Sequence, residues 1–284
     1  MSDATIGPNR YGKSAIRVVK IVRDADRHAV RDLTVAISLE GDFASSYVEG
    51  DNSLVVATDT MKNTAYAFAS THLDGSIEAY ATALATHFLQ YDQVDRATVN
   101  VREHAWHAID VAGRPAPDAF VRGGEGTRVT TIAAGRDAIV VESGIEDVVL
   151  LKTTRSAFSG FPRDRFTTLA DTDDRMMATK LSAVWTYGAH DIDHDATWTA
   201  LRASLLEVLA DHHSPSAQTS IWIIAKSMLE RHAEIDEVRM VMPNLHHWVV
   251  DLERFGIDAD RQVYISTTEP HGLIEATVRR SELG

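Results

Sequence analysis

Hydrophobic and polar residues alternate with two different periods along this chain, and the switches between them predict its architecture. Residues 15–23 and 30–39 are rich in β-branched side chains and flank a charged stretch over residues 23–28, which predicts a hairpin. Two helices are expected next. In the better marked one, over residues 76–91, Ile77, Tyr80, Ala81, Leu84 and Phe88 recur at helical spacing behind Asp74, a candidate cap. Ala97, Val99 and Val101 then alternate with Thr98, Asn100 and Arg102, the two-residue period of a half-buried strand. Pro115, Pro117, Gly123, Gly124 and Gly126 mark a loop region, and a long strand is expected over residues 128–133.

The second half repeats this order. Strands are expected over residues 138–141, 148–153 and 181–187, followed by a helix over residues 195–210 that places Trp198, Leu201, Leu205 and Val208 on one face. Ser214-Pro215, a capping residue and then proline, predicts a sharp start to the next helix, with Ala217, Ile221, Ile224 and Met228 inward. Alternation returns at Val238, Met240 and Met242, at Trp248, Val250 and Leu252, and at Ile274, Ala276 and Val278. Strands arriving in pairs favour an antiparallel α+β fold over a doubly wound sheet, where strands alternate singly with helices. The duplication rests on element order alone, without a residue-level repeat, and divides the chain into expected units 1–135 and 136–284.

Composition narrows the function. With 284 residues, 44% hydrophobic and 24% charged, the chain can bury an ordinary core. A formal net charge of −13 argues against nucleic acid and against an anionic membrane surface as partners. The absence of cysteine removes disulfides, thiolate metal sites, iron–sulfur clusters and a catalytic thiol. No apolar run has the length of a membrane span, residues 1–10 lack the apolar core of a secretory signal, and residues 280–284 are not a peroxisomal tripeptide. A soluble, cytoplasmic, bacterial protein is expected.

Familiar chemical motifs are missing: there is no phosphate-cradling glycine loop, dinucleotide fingerprint or serine nucleophile elbow. Residues 171–174 and 190–195 are acidic or histidine-rich. The second stretch has the ligand types of a metal site but directly precedes a helix, where aspartates also cap amides and offset the macrodipole. A solvated loop is the simpler reading. His246 and His247 are adjacent in a strand and so point to opposite faces, which prevents side-by-side chelation. Taken singly, Lys13 reads as a surface charge, Arg175 as a salt-bridge partner of Asp173 or Asp174, Gln218 as a solvated helix side chain and Phe158 as core.

Several segments in order change that reading. Tyr11-Gly12-Lys13 comes first, then Asp51-Asn52-Ser53 through Ala57-Thr58-Asp59 to Lys62-Asn63-Thr64. Leu151-Lys152-Thr153-Thr154 continues through Phe158, Phe161, Pro162-Arg163-Asp164, Phe166-Thr167-Thr168-Leu169 and Asp174-Arg175. Ser216-Ala217-Gln218, Met242-Pro243-Asn244-Leu245-His246-His247 and Gly272-Leu273-Ile274-Glu275-Ala276-Thr277 complete the set. From residue 11 to residue 277 the chain resembles the urate oxidase family. The resemblance implies the tunnelling fold, two tandem strand-strand-helix-helix-strand-strand units per chain. It also implies a homotetramer with active sites between subunits, and oxidation of urate by molecular oxygen and water to 5-hydroxyisourate and hydrogen peroxide without metal or other cofactor.

By the same resemblance, Arg175 and Gln218 clamp the purine edges, Phe158 stacks beneath the ring, and the backbone N–H groups of Ala217 and Asp59 complete the edge contacts. Lys13, Thr58 and His246 form a proton relay, and Asn244 with Thr58 holds oxygen above the ring. Thr58 and Asp59 would reach the site of a neighbouring chain. Leu245 departs from the family, whose members often carry lysine there; its side chain is expected to face away from its neighbours, with little catalytic effect. Two alternatives stand beside this reading. A hydrolytic tunnelling-fold enzyme acting on a purine- or pterin-like ring would want a metal or a carboxylate anchor. A non-catalytic purine-binding protein would have no need of Lys13, Thr58 and His246.

Overall fold

Alternation becomes strand wherever one face of it can be buried. In the computed structural model, which describes residues 4–24, 26–189, 191–258 and 262–281, β1 (Tyr11–Arg23) and β2 (His28–Gly41) form the expected hairpin. His190 of the histidine-rich stretch and residues 282–284 lie outside the described residues. Leu33, Val35, Ile37 and Leu39 occupy one face of β2 and are buried. After a short helix, α1 (Ala44–Val48), the chain makes α2 (Thr58–His72) and α3 (Ile77–Phe88), and both pack on the first unit's strands. On α3, Ile77, Tyr80, Ala81, Leu84, Ala85 and Phe88 are fully buried, the stripe that the helical period predicts. The Tyr80 hydroxyl donates to Ala65 O at 2.9 Å and so ties α3 to α2.

The cap of α3 is Ser76 rather than Asp74: Ser76 Oγ accepts from Ala79 N at 3.1 Å. A capping side chain must directly precede the first helical residue, and Asp74 stands too early; it pairs with Lys20 Nζ at 2.7 Å instead. β3 (Val94–His104) joins β2, and the loop expected between β3 and the next long strand contains a hairpin, β4 (Trp106–Val111) and β5 (Arg114–Arg122). Its two-residue turn uses Ala112 and Gly113, both at positive φ, 53° and 82°. Pro115 and Pro117 hid the strand in the sequence, yet a two-stranded ribbon has free edges where a missing N–H costs little. β6 (Thr127–Gly135) returns beside β3, and β7 (Ile139–Lys152) follows. β7 is one strand where two were expected. The polar residues that broke its apolar pattern are satisfied in place, as Ser143 Oγ donates to Glu78 Oε1 at 2.6 Å.

By contact density the chain divides into two compact units, Met1–Gly144 and Ile145–Gly284. In the second, β8 (Met177–Tyr187) precedes α4 (His194–Asp211) and α5 (Ala217–Arg231), and β9 (Ile235–Val249) pairs with β8 and with β10 (Tyr264–Arg279). Leu181, Ala183 and Trp185 of β8 and Val238, Met240 and Met242 of β9 are buried, as are Leu201 and Leu205 of α4 and Ile221, Ile224 and Met228 of α5. Helix α5 begins two residues later than the Ser214-Pro215 signal suggested, because Ser216 is its cap and accepts from Thr219 N at 3.1 Å. Alternation at Val250 and Leu252 does not extend β9, which ends at Val249; Glu253–Phe255 is a 3-10 turn. Cations close both helices at their negative ends. Lys152 Nζ donates to Leu209, Ala210 and His212 carbonyls at 2.9, 3.2 and 3.0 Å, and Arg280 Nη2 donates to Leu229, His232 and Ile235 carbonyls at 2.8, 2.9 and 2.9 Å. Burial, followed by the charge of Arg155, pushes the Lys152 ammonium below its ordinary pKa.

Glu78 is the charge most deeply set in the first unit. It is fully buried on α3, and Arg128 Nη2 donates to its Oε2 at 2.8 Å while Ser143 holds Oε1. Glu78→Ala removes the buried carboxylate that Arg128 and Ser143 bond and should lower the unfolding free energy by about 3 kcal/mol in urea titrations. Glu78→Leu, which refills the volume, should cost less than Glu78→Ala.

Candidate active site

Part of the site is built from backbone outside the regular strands. Beyond β7, Ala157 N donates to Ser214 O at 2.7 Å and Ser214 N donates to Arg155 O at 2.8 Å, a parallel bridge between residues 156 and 214. Phe158 and Thr172 exchange N–H to O bonds in both directions, at 2.8 and 3.0 Å, and Arg175 N donates to Ser156 O at 2.7 Å. The segments carrying Phe158 and Arg175 and the approach to α5 are therefore tied main chain to main chain.

Side chains complete the arrangement. No ion pair joins Arg175 to Asp173 or Asp174 among the described residues, contrary to the bland expectation. The Asp174 carboxylate instead accepts from Thr154 Oγ1 at 2.9 Å and from Arg155 N at 2.8 Å. The Arg175 guanidinium lies 5.3 Å from the centre of the Phe158 ring, and its Nε is buried without a hydrogen-bond partner. Burial lowers its pKa from the ordinary arginine value, a group that stays cationic at neutral pH. One face of Phe158 rests on Phe161, with centroids 4.9 Å apart and planes 12° apart.

These groups border one cavity of about 620 Å³, within the size range of small-molecule sites. Phe158, Arg175, Ala217, Gln218, Asn244 and His246 all line it, with Leu169, Met176 and Ile274 as apolar wall. Gln218 is exposed at the start of α5 and makes no side-chain hydrogen bond among the described residues; the same holds for Asn244. Ala217 is the first residue of α5, where no helical carbonyl can serve its N–H. His246 stacks on Trp248, with centroids 5.3 Å apart. Both His246 and His247 border the cavity, and so does Leu245, against the expectation that strand alternation would turn one histidine and the leucine away. The cavity lies at the end of β9, where residues of both parities reach its rim.

Lys13, Thr58 and Asp59 belong to the first unit. Gly12 leaves no room for a side chain: an added Cβ would stand 1.9 Å from Ile37 O. The pairing of β1 with β2 slips between Lys13 and Ile16, where Ala15 has φ 56°, so Lys13 is projected from the edge of a bulge. Thr58 opens α2. Two residues before each, the Tyr11 hydroxyl accepts from Val56 N at 2.8 Å and donates to Val56 O at 3.1 Å, which pins β1 to the approach to α2. Ala57 brings no capping side chain to α2, leaving the first-turn amides, Asp59 among them, at the uncovered positive end. The Asp59 carboxylate is held below its usual pKa first by its hydrogen bond and ion pair with Lys62 and to a smaller degree by Lys13 nearby.

Of the histidine-rich stretch, Asp193 Oδ1 caps α4 by accepting from Ala196 N at 3.0 Å, and the His194 ring packs edge-on against Tyr187. Among the described residues no group of three or more histidine, aspartate or glutamate side chains could hold a metal ion. No described helix is long and apolar enough to cross a membrane. Sequence reasoning missed a hydrogen-bonded set at the start of α5, formed by half-buried His212 with fully buried Ser214 and Ser220. Its one signal was Ser214-Pro215, which was read only as a helix start.

Comparison with known proteins gives a consistent result. The family model described as Uricase matches residues 9–133 and 141–275. Uricase from Arthrobacter globiformis is 39% identical over 97% of this chain and 90% of that protein, and uricase from Dictyostelium discoideum is 37% identical over 98% of each. The crystal structure of the Arthrobacter globiformis uricase superposes with a TM-score of 0.91 at 38% identity, covering 98% of this chain and 96% of that one.

Proposed function

The chain belongs to the uricase family, and we propose that it oxidises urate at the cavity of the second unit, completed by Lys13, Thr58 and Asp59 of a neighbouring subunit. One observation carries the reading: polar groups with unused hydrogen-bonding capacity ring a cavity floored by a fixed aromatic side chain. Urate is a flat purine with three carbonyls and several N–H groups, so it needs oriented donors and acceptors around its rim and an apolar plane beneath. A guanidinium presents a planar fork to a carbonyl and a ring nitrogen, while the Gln218 amide both donates and accepts at the opposite edge. Phe158 supplies the plane, worth about 1 kcal/mol beyond area burial for an offset stack.

Urate binds as its monoanion, and oxidation begins with loss of a second proton. Thr58 touches that position, Lys13 polarises its hydroxyl, and His246 passes the proton onward. The electron-rich dianion then transfers electrons to dioxygen held between Asn244 and Thr58 above the ring. A hydroperoxide forms at C5, and water replaces it to give 5-hydroxyisourate and hydrogen peroxide. One urate, one dioxygen and one water give one of each product. A hydrolytic tunnelling-fold enzyme is disfavoured, because the cavity offers an arginine and a glutamine, while the carboxylate in its lining, Asp171, already accepts from Gly160 N at 3.2 Å and pairs with Arg163 at 3.3 Å.

Subunit sharing has two further supports. Lys13 and Thr58 of the relay lie in the first unit, whereas His246 and the clamp residues lie in the second. Val149, Leu151, Ile265 and Leu273, all on strands of the second unit, are more than half exposed, as expected of a surface that another subunit covers in a homotetramer.

The decisive measurement is urate loss, followed by ultraviolet absorbance, beside oxygen uptake on protein pretreated with a strong chelator. Equimolar loss of urate and oxygen with peroxide release is expected, and urate left unconsumed sinks the assignment. Arg175→Ala should weaken anaerobic urate binding by about a hundredfold, the loss of a buried charge-assisted hydrogen bond. Lys13→Ala should keep binding within a few fold while turnover falls by about a thousandfold. If sites are shared, neither variant is active alone, yet co-expressing the two should restore about a quarter of wild-type activity through mixed oligomers. A mixture no more active than its parents places both halves of a site in one chain.

A further inference from the structure

We propose that Ser214 is a positioning residue for the purine clamp, holding the segments that carry Phe158, Arg175 and Gln218 in register. The proposal rests on reading the cavity as a urate site. Ser214 is fully buried, and each of its contacts lies close in sequence to a clamp residue. Its main chain bonds Arg155 O and Ala157 N, directly before Phe158. Its Oγ lies 3.6 Å from Met177 Sδ, two residues beyond Arg175, and 3.2 Å from the carbonyl of Ser216, the cap that precedes Ala217 and Gln218. The shortest contact is to Ser220 Oγ, at 2.7 Å, one turn inside α5.

The chain of hydroxyls continues to a histidine. Ser220 Oγ is 2.9 Å from His212 Nε2, and His212 Nδ1 is 2.7 Å from Val208 O. A carbonyl only accepts, so Nδ1 carries a proton; with the ring neutral, Nε2 accepts from Ser220 and the Ser220 oxygen accepts from Ser214. Every donor in the series then points one way, from Ser214 through Ser220 and His212 to the backbone of α4. Removing the Ser214 hydroxyl leaves the fully buried Ser220 oxygen short of a donor that water cannot supply. The start of α5 is then free to turn, and Gln218 moves with it.

A network that only stiffened the core would change stability and leave the site alone. The test therefore measures kcat, KM and anaerobic urate affinity, with melting temperature alongside, for wild type, Ser214→Ala, Ser220→Ala, Gln218→Ala and the Ser214→Ala/Gln218→Ala double variant. Ser214→Ala should raise KM and the anaerobic Kd about tenfold, with kcat within about twofold of wild type. In the Gln218→Ala background the same change should add less than about twofold, since the group it positions has gone. A folded Ser214→Ala with wild-type KM, or effects that multiply in the double variant, overturns the proposal. Should Ser214→Ala fail to fold, Ser220→Ala decides in its place: a KM raised severalfold supports the hub and an unchanged one overturns it. Wild-type protein that binds no urate fails at the functional reading itself, whereas wild type that binds beside an unaffected Ser214→Ala fails only here.

Discussion

A guanidinium nitrogen buried without a partner sets the terms for the second unit. Arg175 Nε has lost its water, and none of the described side chains replaces it. Such a deficit costs roughly 1–3 kcal/mol, more for a charged group, and is retained only where something else in the molecule depends on it. The carboxylate next in sequence could have met it. Asp174 is instead turned toward Thr154 Oγ1 and the Arg155 amide, which uses its oxygens on the loop and keeps the arginine fork open. In the proposed function, an anion with acceptors along a flat edge supplies what Arg175 lacks, and the aromatic ring near the guanidinium favours a planar one.

An open fork is useful only if it does not wander. The segments that carry Phe158 and Arg175 and the approach to α5 lie outside the sheet pairing, so their order comes from isolated bridges: residues 156 to 214, Phe158 to Thr172, and Arg175 N to Ser156 O. The first unit uses the same device with a side chain in place of main chain, the Tyr11 hydroxyl bonding both polar groups of Val56. Immobilising a side chain at the moment of binding costs about 0.5–1.5 kcal/mol each. Groups already fixed in the empty site have met that cost during folding, where a whole core shares it.

Periodicity carried most of the fold. Buried stripes on α3 and α5 and alternation on β2, β3, β8 and β9 are strong because one face of each is fully dry. The β4–β5 hairpin escaped because its stability lies in a turn at positive φ and in free edges that tolerate proline, neither of which shows as hydrophobic period. β7 was read as two pieces because the partner that satisfies Ser143 is Glu78, 65 residues away, and pairing at that range leaves no local trace. The candidate site was proposed only through resemblance. Arg175, Gln218 and Phe158 each had a commoner explanation, and nothing in spacing alone brings residues from a loop, a helix start and a strand end to one cavity. Leu245 shows the limit of strand logic, since alternation assigns a face but cannot say that a cavity wraps around the strand's end.

Charge poses the last question, since a chain of net charge −13 must hold an anion. At physiological ionic strength the Debye length is about 8 Å, so most of that negative surface is screened from the cavity and the near groups decide. Those groups favour an anion, since the carboxylate in the lining, Asp171, is paired with Arg163 at 3.3 Å. Arg175 stands in the cavity wall, and the start of α5 presents the Ala217 and Gln218 amides at the positive end of a helix whose opposite end is closed by Arg280. An anion at one end and a cation at the other both complement the macrodipole, each typically by about 0.3–1 kcal/mol and more where burial reduces screening. The acidic surface thus governs solubility and approach, while a few oriented donors within hydrogen-bond reach govern binding. Long-range repulsion lowers the rate of encounter more than the affinity, because affinity is set where the screening ends.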